Sequence, residues 1–205
     1  MKISKLDLEP AAIDFLTSEG FEKLYEPQAY SVDAGILDGT SVLVSAPTAS
    51  GKTLIAMLGM LAHLPKHKSK IVYLSPLRAL AAEKFTEFKK LEKINLGRKI
   101  KVGISTGDFD SVEDKLENSD ILVLTNEKMD ALMRFGQSWI SEIGLVIVDE
   151  IHLIGDEGRG PTLEMVLTRL KSGLIGKIPQ IIALSATITN SDELAEWLDC
   201  EHVES

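Results

Sequence analysis

From Ser41 onward the chain alternates short, unbroken apolar runs with longer stretches of helical pattern. The runs are "SVLVSA", "KIVYLS", "IKVGIS", "DILVLT", "GLVIVD" and "QIIALS". Between most of them lie "GKTLIAMLGMLAHL", "LRALAAEKFTEFKKLEK", "NEKMDALMRFG" and "GPTLEMVLTRLKSG". A strand with one wet face alternates apolar and polar residues. These runs are apolar at consecutive positions, so both faces of the sheet must be covered. That requirement fixes the class as α/β, a doubly wound and mostly parallel sheet with helices on both faces. In such sheets ligands bind at the carboxyl ends of the strands. Polar residues directly after each run are therefore the candidates for chemistry.

Two further helical patterns precede the first run, "EPAAIDFLTSEG" and "EPQAYSVDAGILDG". Each has proline near its start and glycine at its end, the asymmetry expected of helices. The chain divides on this reading into a helical segment, 1–39, and an α/β domain, 40–205. With 205 residues it can bury one sizeable core. Its single cysteine, Cys200, excludes an intrachain disulfide. The most apolar stretch, "LIAMLGMLAHL", falls short of the roughly 20 residues a bilayer demands. A cytoplasmic protein without membrane contact is expected. The net charge of −9 argues against a chain that coats nucleic acid broadly. It leaves room for a local groove, because phosphate contacts need only a few donors. The clusters "KHKSK" and "GRKIK" read as solvated turns.

The first run leads through "PTASGKT" into a helix. Strand, loop and helix in that order are the context a phosphate-binding loop requires. Its backbone N–H groups and the helix N-terminus present donors to phosphate. The candidates are Pro47, Thr48, Ala49, Ser50, Gly51, Lys52 and Thr53. Gly51 permits close backbone approach, Lys52 reaches the β and γ phosphates, and the Thr53 hydroxyl is offered to Mg2+. Asp149 ends another apolar run, in "VIVDEIH", and suits the same metal. Glu150 can orient or deprotonate an attacking water. Taken alone, Asp149, Glu150 and His152 also fit a solvated strand end.

Three motifs in order, "APTASGKT", "DEIH" and "LSAT", resemble motifs I, II and III of the superfamily 2 helicases. The DEIH form resembles the DExH-box group. "LSPLRALAAEK", "STGD" and "LTNEKMDALMR" are similar to the nucleic-acid-contacting motifs, and "LYEPQAYSV" to the Q motif. The segment "DEIHLIGDEGRGPTLE" resembles the branch that holds the archaeal fork-associated DNA helicases, their polymerase-theta-linked relatives and the bridge-type RNA helicases. That branch commonly has alanine first in its loop, which accounts for Ala46.

The resemblance implies a RecA-like P-loop NTPase domain that uses ATP and Mg2+. It implies that Gln28 reads adenine. Pro76, Arg78, Thr106, Gly107, Thr125 and Asn126 are implied to touch a sugar-phosphate backbone, although each fits an ordinary helix cap equally well. His152, Ser185 and Thr187 are implied to couple hydrolysis to the nucleic-acid path. The implied partners are single-stranded or forked nucleic acid, with DNA favoured, and a second RecA-like domain that supplies arginine fingers. The 205 residues are expected to be part of a longer protein and, alone, nearly inactive. Helicase action with 3′-to-5′ polarity at replication forks is the leading expectation, with a nucleoid association if the source is archaeal. An RNA helicase and a nucleotide-gated binding module stay open beside it.

Overall fold

The computed structural model describes residues 1–47, 50–107, 116–187 and 189–204. Thr48 and Ala49, and Asp108 of the "STGD" run, lie outside the described residues. The six apolar runs form strands β1 (Val42–Ser45), β2 (Lys70–Ser75), β3 (Val102–Ser105), β4 (Ile121–Thr125), β5 (Ile143–Val148) and β6 (Gln180–Ser185). A further strand, β7 (Glu201–Glu204), closes the edge beside β1. Among the described residues the sheet runs in the order β3-β4-β2-β5-β6-β1-β7, and every pairing is parallel.

Seven α-helices are described: α1 (Pro10–Ser18), α2 (Glu26–Asp33), α3 (Lys52–Lys66), α4 (Arg78–Phe88), α5 (Asn126–Phe135), α6 (Gly160–Lys171) and α7 (Ser191–Leu198). Residues alternate faces along each strand. Val42, Val44, Ile71, Tyr73, Leu145 and Ile147 pack with α1, α3 and α4. Leu43, Val72, Leu74, Val146 and Val148 pack with α5, α6 and α7. The two cores explain why the runs carry no polar alternation. No helix among the described residues is long and apolar enough to cross a membrane.

Three local differences from the sequence pattern have physical causes. The stretch 26–39 is two pieces, α2 and a 3-10 turn (Ile36–Asp38), because Gly35 turns left-handed at φ 93°. The stretch 77–93 likewise ends its α-helix at Phe88 and tightens into a 3-10 turn (Lys89–Lys93). The cluster "KHKSK" is not simply a solvated turn. Lys70 is buried, and its Nζ donates to the carbonyls of Glu117 and Ser119. Burial pushes this ammonium below the ordinary lysine range, against the pull of Glu142, Asp120 and Glu117.

His63, near the end of α3, is 7% exposed, and its Nε2 meets Ser69 Oγ at 2.8 Å. Burial first, then the charges of His67 and Arg98, lower its pKa to about 4. The unfolded chain takes up this proton below its ordinary value near 6.5, the folded one only near 4. Stability from this group is therefore complete above pH 6.5 and declines as pH falls toward 4. The loss amounts to about 3 kcal/mol. Urea midpoints at pH 7 and pH 4.5 should separate less in His63→Gln than in the wild type. Equal separation would contradict the account.

Candidate nucleotide and nucleic-acid site

The strand order sorts the candidate residues along one edge. Going from β1 through β6 to β5, the carboxyl ends carry the loop before Lys52, then Ser185, then Asp149. Going from β2 through β4 to β3, they carry Arg78, then Thr125, then Thr106. Residues widely scattered in sequence thus form two adjoining groups.

In the first group, Gly51 is the N-cap of α3 at φ 82°, with no side chain capping the helix. At this φ any side chain would be strained, and a Cβ there would fall 2.2 Å from Gln28 Nε2, so a substitution would also have to displace the amide. Gln28 is 2% exposed. Its Nε2 donates to the Gly51 carbonyl at 3.2 Å, and its Oε1 accepts from Tyr25 N at 2.8 Å. The amide holds the loop, with one N–H and one lone pair left over for another partner. Lys52 Nζ donates to the carbonyls of Ala46 (2.8 Å) and Pro47 (3.2 Å). Ala46 is buried, and its N–H donates to the Ser185 carbonyl, which ties the loop to β6. The Ser50 and Ser185 hydroxyls are buried without a hydrogen-bond partner among the described residues. Thr187 is exposed just beyond Ser185.

Asp149 is 9% exposed. Its Oδ2 accepts from Tyr73 OH at 2.7 Å, and its Oδ1 from Glu150 N at 3.1 Å. Tyr73 sits on β2, in register with Ile147 of the neighbouring strand, so its ring reaches forward to the carboxylate. Burial, then the charge of Asp149 and its hydrogen bond, hold the phenol well above its ordinary pKa. It stays a donor. Glu150 adopts φ 50°, a left-handed conformation that costs a non-glycine residue on the order of 1–3 kcal/mol. His152 Nδ1 lies 3.3 Å from Glu150 Oε2, near enough for an ion pair but not aligned for a hydrogen bond.

Asp149 and the Thr53 hydroxyl offer hard oxygen donors, the set Mg2+ prefers. The nearly buried carboxylate has only neutral donors and no ion pair among the described residues, so it suits a cation. No cluster of three or more His, Cys, Asp or Glu ligands exists among those residues.

The second group lines a cleft of about 290 Å3. Pro76, Arg78, Thr106, Gly107 and Thr125 all face it. Asn126 is buried beside it as the first residue of α5. Thr125 also caps α5, accepting from Lys128 N at 3.3 Å. Lys128 and Arg159 line the same cleft and were not expected from the motifs. Arg159 lies inside "GRGPTLE", and Gly160 fixes its place. A Cβ on Gly160 would fall 2.0 Å from the Ile154 carbonyl, so the chain after DEIH can close only on glycine here.

Comparison with known proteins identifies the family. The DEAD/DEAH box helicase family matches residues 25–194. Across its whole length the chain is 47% identical to the ATP-dependent DNA helicase Hel308 of Methanocella arvoryzae, and 45% identical to that of Pyrococcus abyssi. It spans 27% of the length of each. The crystal structure of the DUF1998 helicase MrfA superposes with a TM-score of 0.83 at 25% identity, over 97% of this chain and 33% of that one. With its seven-stranded parallel sheet the fold is RecA-like, and the chain belongs to the DEAD/DEAH box helicase family.

Proposed function

We propose that the chain is the ATP-binding motor domain of an ATP-dependent DNA helicase, acting with 3′-to-5′ polarity on single-stranded or forked DNA. The observation that carries the reading is that one sheet edge gathers the loop before Lys52, Ser185 and Asp149 on one side and Arg78, Thr125 and Thr106 on the adjoining side. The relatives' description as DNA helicases favours DNA over RNA. A P-loop domain spanning about a quarter of those relatives leaves room for a second RecA-like domain, which would complete the ATP site.

In this proposal residues 47–53 cradle the phosphates, and Lys52 exchanges its loop carbonyls for phosphate oxygens. Gln28 fixes Gly51 and turns its remaining amide capacity to adenine. Thr53 and Asp149 hold Mg2+, which would neutralise charge developing on the phosphates. Tyr73 orients the Asp149 carboxylate. Glu150 orients and deprotonates the attacking water. His152, Ser185 and Thr187 link this half to the cleft, where Arg78, Thr106, Gly107, Thr125 and Asn126, joined by Lys128 and Arg159, meet phosphates. Such contacts read the backbone and give little base specificity.

Strand separation by the full-length protein tests the reading. ATP- and Mg2+-dependent unwinding of a forked DNA duplex is expected. Unwinding of RNA alone would move the chain to the RNA helicases. No unwinding of either would leave a binding module.

A further inference from the structure

Lys84 belongs to none of the roles above, yet it touches the centre of the nucleotide half. It lies on α4, six residues after Arg78, and its side chain is only 13% exposed. Its Nζ donates to Thr53 Oγ1 at 2.7 Å. The same nitrogen lies 3.2 Å from Glu87 Oε2 and 3.8 Å from Glu83 Oε1. Thr53 Oγ1 is thus held by a cation carried on the protein itself.

A metal ion on that oxygen and an ammonium on it disfavour each other. The hydroxyl has two lone pairs, but both partners are cations, and like charges in contact repel strongly where water is scarce. Glu87 already shares the ammonium, so Lys84 has a carboxylate to fall back on when Thr53 is taken.

We infer that Lys84 is a positioning residue that competes with the divalent cation for the Thr53 hydroxyl and thereby sets how strongly metal and nucleotide binding are coupled. The inference rests on the proposed nucleotide site. Lys84 also shares α4 with Arg78 of the cleft, so the competing contact stands on the element that joins the two halves.

Calorimetric titration of the full-length protein with ADP, once with Mg2+ and once with EDTA, measures this coupling as a ratio of affinities. In Lys84→Met the enhancement by Mg2+ should rise roughly fivefold or more over the wild type. In a Thr53→Ala background the same substitution should add nothing, because the contested oxygen is gone. An unchanged or smaller enhancement in Lys84→Met would overturn the inference. So would an equal gain in both backgrounds, which would mark a general field effect. If Lys84→Met does not fold, Lys84→Gln is judged by the same ratio. Lys52→Ala in the same titration reports on the site itself. If it bound ADP as tightly as the wild type, the nucleotide assignment would fall, and the inference with it. A weakened Lys52→Ala beside an unaltered Lys84→Met would sink the inference alone.

Discussion

Glu150→Gln should stop ATP turnover in the full-length protein and leave nucleotide binding close to the wild-type level. In its proposed role Glu150 takes a proton from the attacking water. Glutamine keeps the shape but cannot accept that proton. Loss of a general base lowers turnover by about 10²–10⁴-fold. Binding should survive because the contact Glu150 makes to Asp149 comes from its backbone N–H at 3.1 Å, which the substitution retains. Tyr73 would still hold the other carboxylate oxygen. The left-handed backbone at Glu150 is equally hard for glutamine, so no relaxation is gained. Steady-state kcat at saturating nucleic acid, set beside an ADP titration, separates the two effects. Normal turnover would remove Glu150 from the chemistry.

The second large effect is on affinity. Lys52→Ala should weaken ADP and ATP binding by about 10- to 100-fold, the equivalent of one charge-assisted hydrogen bond. The protein should melt close to the wild-type temperature. Among the described residues, Lys52 Nζ is bonded to the carbonyls of Ala46 and Pro47, and the lysine itself stands half-buried at the start of α3, outside the apolar core. Binding calorimetry and a melting curve on the same sample distinguish this outcome from misfolding. Unchanged affinity would contradict the phosphate-binding role.

Much of this architecture can be read from the chain because local pattern and tertiary demand agree. A strand such as "IVYLS" must be buried on both faces, and its composition says so. The loop before Lys52 carries its chemistry within a few adjacent residues, so the motif is local as well. Tyr73 could not be found this way. In sequence it is one more apolar strand residue, and its partner Asp149 lies 76 positions away. Only the side-by-side register of β2 and β5 brings them together. Lys84 reads as an ordinary helix lysine until the fold brings its ammonium to the Thr53 hydroxyl, 31 positions back. Lys70 sits in a basic run that looks solvated, but the β2–β4 pairing draws it inward. Arg159 stands within "GRGPTLE", yet its place depends on the close approach at Gly160. Gln28 is the subtler case. The motif marks the residue, while the fold commits half of its amide to the loop.

The central claim is that ATP bound on one half of the sheet edge answers to DNA bound on the other. It is tested most directly by ATP hydrolysis of the full-length protein with single-stranded DNA or single-stranded RNA as activator. The account predicts strong stimulation by DNA, lost in Glu150→Gln. Stimulation by RNA alone, or hydrolysis indifferent to either strand, would contradict it.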